Sequence, residues 1–163
     1  MVTRNVAVAL LALFVGIASP GAFASTYALT PVLSWTDAQA YATSLGGHLV
    51  EINNQVEQDL LVSMFGGTEP LWIGLTDVQI EGVFVWTNGD PLTYANWLAG
   101  EPNDAGGVED YGEMNWGAPG KWNDASNLPP GRGIVETPEA PAGALAFAGL
   151  SLASLLRRRE SLR

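Results

Sequence analysis

One stretch restricts what this chain can fold into more than any other. Between Glu101 and Asp124, five carboxylates (Glu101, Asp104, Glu109, Asp110, Asp124) and two amides (Asn103, Asn123) sit in turn-forming sequence. The first part reads Glu101-Pro102-Asn103-Asp104-Ala-Gly-Gly-Val-Glu109-Asp110, and the last reads Trp122-Asn123-Asp124. All seven offer hard oxygen atoms, and no Cys or His is among them. Oxygen donors in that number suit Ca2+, which takes about six to eight of them. Zn2+ prefers Cys and His, so this donor set disfavours it. Gly106-Gly107 lets the loop fold back on itself. Pro102 permits a cis bond after Glu101, which would turn Glu101 and Asn103 toward one point. The plain alternative is an acidic surface loop. A further acidic pair upstream, Asp77 and Glu81, speaks against it.

The rest of the composition supports a cation-binding domain. The 163 residues leave room for one domain once the ends are set aside. Formal charge is -10, and 15 of the 17 Asp and Glu lie between Ser25 and Glu136, against only Lys121 and Arg132. Such a surface repels nucleic acid phosphates and anionic lipid, which excludes nucleic acid as a partner. Hydrophobic residues make up 47% and include six Trp, so disorder is excluded too. With no Cys, the fold gains nothing from disulfides.

Both ends read as addresses. Residues 1–24 form a secretory signal: Arg4, an apolar run from Val6 to Ala18, and the cleavage sequence Ala22-Phe23-Ala24. At the other end, Glu136-Thr-Pro138-Glu139-Ala-Pro141 reads as an extended linker. The apolar run Ala142 to Leu156 follows, then Arg157-Arg158-Arg159. Its 15 residues span about 22 Å as helix, short of a hydrocarbon core of about 30 Å. Residues 137–163 resemble the PEP-CTERM sorting signal of Gram-negative bacteria, although Pro138-Glu139-Ala140-Pro141 stands where that motif reads Pro-Glu-Pro. The resemblance implies a transient inner-membrane anchor, removal of the tail by an exosortase, and delivery to the cell surface or extracellular matrix. A plain membrane anchor is the alternative.

Between the ends, residues 25–136 read as one α+β domain. Ser34-Trp35-Thr36-Asp37 is a capping box. Trp35, Ala38, Ala42 and Leu45 then recur at helical spacing up to Gly46-Gly47. Leu49, Val50 and Ile52 suit a short strand. Asn54 with Glu57 opens a second helix whose apolar face is expected to be Val56, Leu60, Leu61 and Met64. Pro70 to Leu75 reads as a buried strand and Val83 to Trp86 as another, with Asn88-Gly89 as a hairpin turn. The long turn-rich segment from Asp90 to Gly120 marks a functional loop. Tyr111–Trp116 and Trp122–Asn123 are candidate strands on its far side. Ile134-Val135-Glu136 reads as a last strand returning to the first. Two helices with short antiparallel strands make the class α+β.

From about Tyr27 to Glu136 the chain resembles a C-type lectin domain. The motifs that carry this are Ser44-Leu-Gly-Gly-His48-Leu49, Trp72-Ile-Gly-Leu75, Glu101-Pro102-Asn103, Glu109-Asp110 and Trp122-Asn123-Asp124, in the family's order and spacing. The resemblance implies a long calcium-binding loop emerging from small antiparallel sheets flanked by two helices. It implies a principal Ca2+ and sugar site of Glu101, Asn103, Glu109, Asn123 and Asp124. A second Ca2+ site would use Asp77, Glu81, Asp104, Glu109 and Asp110. Glu-Pro-Asn resembles the mannose-type motif, and the galactose-type reads Gln-Pro-Asp and usually adds a stacking Trp. Residues 105 to 108 carry no aromatic. The family's two disulfides are missing: Ala42 and Val135 stand at one pair, Tyr111 and about Asn127 at the other. The second loss is expected to leave the binding loop untethered.

The residues themselves explain why such a site would suit a sugar. Two adjacent hydroxyls can replace water around calcium, and each keeps a proton and lone pairs. Glu101 can accept from one and Asn103 can donate to one; Asn123 and Asp124 offer the same pair opposite. His48, the only histidine, has no carboxylate partner in sequence and reads as structural. No serine elbow, phosphate loop or cysteine nucleophile is present, so no enzyme is indicated. Paired carboxylates would also suit a glycosidase, but here they cluster with amides as ligands. The Trp residues read as core rather than as ligand platforms. Two readings stand: an exported calcium-dependent carbohydrate-binding protein, its partner a glycan or exopolysaccharide, or a structural or protein-binding module of the extracellular matrix.

Overall fold

Ser34 starts the first helix by accepting the Asp37 amide with its hydroxyl, at 3.2 Å. In the computed structural model, which describes residues 25–138, that helix is α1, Trp35–Ser44. It follows β1, Ser25–Leu29, a strand the sequence pattern does not announce. β2 is His48–Leu49 and α2 is Gln55–Phe65, capped by Asn54, whose side chain accepts the Glu57 amide. Then come β3 (Leu71–Thr76), β4 (Val85–Trp86), β5 (Tyr111–Met114), β6 (Trp122–Ala125) and β7 (Arg132–Pro138).

The strands form one sheet in the order β1-β7-β3-β5-β6, with β2 also on β7 and β4 also on β3. It is mixed rather than purely antiparallel, because β3 and β7 run parallel at Leu71↔Arg132 and Trp72↔Gly133. The chain reaches β7 by way of β4, β5 and β6, a connection long enough for a parallel return. β7 continues to Pro138, so Thr137 and Pro138, expected in the linker, pair instead with Thr26 and Ser25. No hairpin forms at Asn88-Gly89: β4 pairs back on β3, and the next strand begins at Tyr111.

β3 is buried along its whole length because each face meets a different core. Leu71, Ile73 and Leu75 pack with Leu61 of α2, Trp86, Met114 and Trp122. On the other face Trp72 packs with Trp35 and Ala38 of α1 and with Leu49. Gly74 is needed here, since a Cβ would lie 2.4 Å from the Leu49 carbonyl oxygen.

Two helical faces differ from expectation. Leu45 is exposed at the end of α1. On α2, Val56, Leu60 and Met64 face solvent, while Gln58 and Leu61 are buried. The core-facing stripe is instead Gln58, Leu61, Val62 and Phe65, and on it Gln58 Oε1 accepts the buried Trp122 indole N–H at 2.6 Å.

Candidate metal and ligand site

The site is assembled around Asp124. It lies on edge strand β6, opposite Gly112 of β5, and is almost wholly buried. Its two oxygens accept the Asn103 amide at 3.0 Å each, and Oδ2 accepts the Asp104 amide at 2.7 Å. A buried carboxylate held by backbone donors is strongly oriented. It anchors the loop that presents Glu101 and Asn103, where the Glu101-Pro102 bond is cis. The Asn103 side-chain amide donates to Glu101 Oε2. Beyond it the loop closes on itself: Glu109 Oε2 accepts the Ala105 amide at 2.8 Å, and the Glu109 amide donates to Asp104 Oδ1 at 3.1 Å. Burial pushes the Glu101 carboxyl above the ordinary carboxylate range, and the charges of Asp124 and Glu109 add to that.

Asn123, the neighbour of Asp124, is fixed by a residue the sequence motifs do not mark. Its Nδ2 donates to Glu113 Oε1 at 3.0 Å. That uses one of the two amide hydrogens and leaves Oδ1 and the second N–H available. Glu113 sits directly opposite Asn123 in the β5–β6 register and is buried, which raises its pKa, with the Glu109 charge acting the same way. The register of two short strands was the missing information. Both strands are expected from sequence, but not which residues face one another.

A second acidic group lies at the end of β3. Carboxylate oxygens of Asp77, Glu81 and Asp110 come within 4.8 Å of one another. Asp77 Oδ2 accepts the Gly82 amide at 2.9 Å, and Asp77 Oδ1 is buried without any hydrogen-bond partner. Burial raises the Asp77 pKa, and the Asp110 and Asp124 charges raise it further. Asp104 and Glu109, expected in the same set, do not join this close trio. They bond to one another instead, in the loop held by Asp124. An orphaned buried oxygen among oxygen-only donors of one sign is what a hard divalent cation would satisfy. The residues therefore fit Ca2+.

The missing disulfides do not leave the loop untethered. Tyr111, at the start of β5, stacks on Trp35 with ring centroids 4.7 Å apart. Asn127, just after β6, accepts the Thr36 amide at 3.1 Å and donates to the Thr36 hydroxyl at 3.1 Å. Both ends of the β5–β6 unit are thus tied to the start of α1 without a covalent bond. Ala42 and Val135 are both buried, as apolar replacements should be. The His48 ring bonds the neighbouring Leu49 carbonyl through Nδ1, at 2.9 Å, in keeping with a structural role.

Residues 32–128 match the family model described as Lectin C-type domain. The chain belongs to the C-type lectin domain family. It is 44% identical over 91 residues to the low affinity immunoglobulin epsilon Fc receptor of Mus musculus, covering 56% of this chain and 27% of that protein. It is 36% identical over 109 residues to a lectin of Pleurodeles waltl, covering 63% of each. The chain therefore spans less than two thirds of the length of these curated relatives. Among solved structures it is similar to the cow C-type carbohydrate-recognition domain of CD23 in the presence of GlcNAc2Man3 oligosaccharide. That match has a TM-score of 0.66 and 34% identity, over 76% of this chain and 98% of that one. C-type lectin domains are generally binding proteins without catalytic activity. Among the described residues no helix is long and apolar enough to cross a membrane. The expected leader 1–24 and, apart from Thr137 and Pro138, the expected sorting tail 137–163 lie outside the described residues.

Proposed function

We propose that this lectin domain is a calcium-dependent carbohydrate-binding protein of mannose/glucose type, exported to the cell surface or extracellular space. The observation that carries it is the Asp124 clamp. One buried carboxylate accepts the Asn103 and Asp104 amides next to Asn123, which supports a site formed by an acceptor-donor pair from the loop and one from β6. When bound, Ca2+ would take two adjacent sugar hydroxyls into its shell. Glu101 then accepts from one hydroxyl and Asn103 donates to one, while the free Asn123 N–H and Asp124 complete the set on the β6 side. Principal ligands are Glu101, Asn103, Glu109, Asn123 and Asp124; the trio Asp77, Glu81 and Asp110 holds a second ion, with Asp104 and Glu109 beside it. Every donor and acceptor is matched only when the hydroxyl pair has the right orientation, which is the source of selectivity. The C-terminal segment acts as the exosortase-processed anchor.

Titration of methyl α-mannoside and methyl β-galactoside into the exported chain, with calcium and with chelator, tests this reading. Mannoside binds only with calcium, and galactoside binds far more weakly. Calcium binding without either sugar would overturn it. The Mus musculus relative is by name an immunoglobulin receptor, which supports one other reading: a protein-binding module that uses calcium to hold its loop. Calcium-dependent capture of a protein without any glycan would favour that one.

A further inference from the structure

We propose that Asn88 is a site of spontaneous deamidation that the folded domain holds in check, and that its conversion to a carboxylate unfastens a clasp between the turn after β4 and the segment before α2. The inference is independent of the sugar reading. Asn88-Gly89 makes no hairpin, and the Asn88 side chain instead ties two parts of the fold together. Its Nδ2 donates to Glu51 Oε2 and, at 3.1 Å, to Asp90 Oδ2, while its Oδ1 accepts the Asp90 amide at 2.9 Å. Glu51 lies between β2 and α2, is only 3% exposed, and has no hydrogen-bond partner at its other oxygen, Oε1. One neutral amide thus stands between two carboxylates, one of them buried, and donates to both. Burial pushes the Glu51 carboxyl above the ordinary range, the Asp90 charge adds to that, and the bond from Asn88 works against it.

Sequence and exposure make Asn88 reactive. It is the one Asn of the chain followed by Gly, and it is exposed. The space around Gly89 is open, since an added Cβ there would touch nothing. With no side chain in the way, the Gly89 nitrogen can attack the Asn88 carboxamide carbon. A C–N bond forms, the proton on that nitrogen leaves with the side-chain amino group as ammonia, and a succinimide ring results. Water then opens the ring. Breaking its bond to the side-chain carbon gives aspartate, and breaking its bond to the backbone carbon gives isoaspartate. The fold opposes the first step, because the clasp holds the carboxamide and the Gly89 N–H donates to the Trp86 carbonyl at 3.0 Å. Attack therefore needs the turn to open. Afterwards refolding cannot restore the clasp. A carboxylate at this position donates nothing, so buried Glu51 loses a donor and meets a like charge in its place. Asp90 begins the long segment that carries the proposed ligand site, so the clasp fastens that segment at its root.

The test follows every Asn of the full chain at neutral pH, in buffer and in urea, by peptide mass spectrometry that separates amide, aspartate and isoaspartate. In urea Asn88 should convert ahead of every other Asn, and in buffer it should convert at least about tenfold more slowly than in urea. Asp90→Ala removes one acceptor of the clasp at an exposed position. It should speed conversion in buffer about threefold or more and leave the rate in urea unchanged. Equal wild-type rates in buffer and urea would overturn the proposal, as would an Asp90→Ala variant that converts no faster than wild type in buffer. Melting curves read the consequence. Asn88→Asp should melt below wild type, and combining it with Glu51→Gln, which gives the new carboxylate a donor, should recover most of the loss. An Asn88→Asp chain that melts with wild type, or a double variant no better than the single one, would overturn the role given to the clasp.

Discussion

Asp124 shows how one side chain turns a run of loop sequence into a site. Without it, the Asn103 and Asp104 amides lose their acceptors, and hydrogen bonds to a charged group contribute about 1.5 to 3 kcal/mol. In Asp124→Ala, hydrogen exchange at those two amides should therefore accelerate about ten- to a hundredfold, with or without calcium. Unchanged protection there would mean that the loop is held by something else. In the proposed site Glu101 and Asn103 have a different task, since their side chains would face the sugar rather than the fold. Exchanging them as Glu101→Gln with Asn103→Asp keeps their sizes and one charge but reverses donor and acceptor. Each mismatched buried hydrogen bond costs about 1 to 3 kcal/mol, so mannoside affinity should fall at least about fivefold. Calcium affinity, read in the same titrations, should change little. Mannoside binding that survives the exchange would remove these two residues from the recognition step. Nine candidate ligands could be named from the sequence, through their hard oxygen donors and the resemblance, yet the close trio holds only Asp77, Glu81 and Asp110, without Asp104 and Glu109. Glu113 was not legible: an acid in a strand looks ordinary until the β5–β6 register sets it opposite Asn123.

The helices show where the pattern of a sequence misleads and why. Both N-caps were readable, because Ser34 and Asn54 act through local bonds three residues ahead. The face of α2 was not, because a polar residue holds the interior position. Gln58 serves the Trp122 indole from the stripe it shares with Leu61, Val62 and Phe65, and Val56, Leu60 and Met64 lie outside that stripe. Periodicity counts apolar residues and cannot see a distant donor. The contrast is measurable by urea denaturation. Leu60→Lys and Met64→Lys should each shift stability by no more than about 0.5 kcal/mol. Leu61→Ala should cost about 2 to 5 kcal/mol by opening a cavity. Gln58→Leu should cost about 1 to 3 kcal/mol, since it leaves the indole N–H buried and unpaired. A large loss from Leu60→Lys would contradict the observed stripe. The tie between Tyr111, Asn127 and the start of α1 was hidden for a similar reason, for it joins segments about 75 to 90 residues apart by packing and amide bonds that leave no motif.

At the scale of the whole domain, the excess of carboxylates makes stability depend on pH, and the proposed calcium sites would oppose that dependence. Burial raises the pKa of Glu51, Glu57 and Glu113, and of Asp77 and Glu101 in the proposed site. A raised carboxyl holds its proton in the folded chain at pH values where the unfolded chain has released it. The folded state thus binds more protons than the unfolded one between the ordinary carboxylate range, about 4, and the raised values above it. Stability must fall as pH rises through that window and recover as pH falls through it. Glu69 works the other way: its bond to Arg132 lowers its pKa, so its contribution is complete above the ordinary range and lost only as pH falls below about 4. The two windows do not overlap. In chelator, therefore, the melting temperature should rise as pH is lowered from neutral toward the ordinary carboxylate range, about 4, and turn down only below it. Calcium in the proposed sites would invert the first part. It would require ionised ligands, so it would stabilise most near neutral pH and be displaced by protons on acidification. Melting curves recorded with calcium and with chelator should lie furthest apart near pH 7 and converge as the pH falls, one dropping while the other climbs. Parallel lines would mean that these carboxylates do not hold the ion, and a chelator curve that falls steadily from pH 7 would mean that the buried carboxyls do not set the pH response.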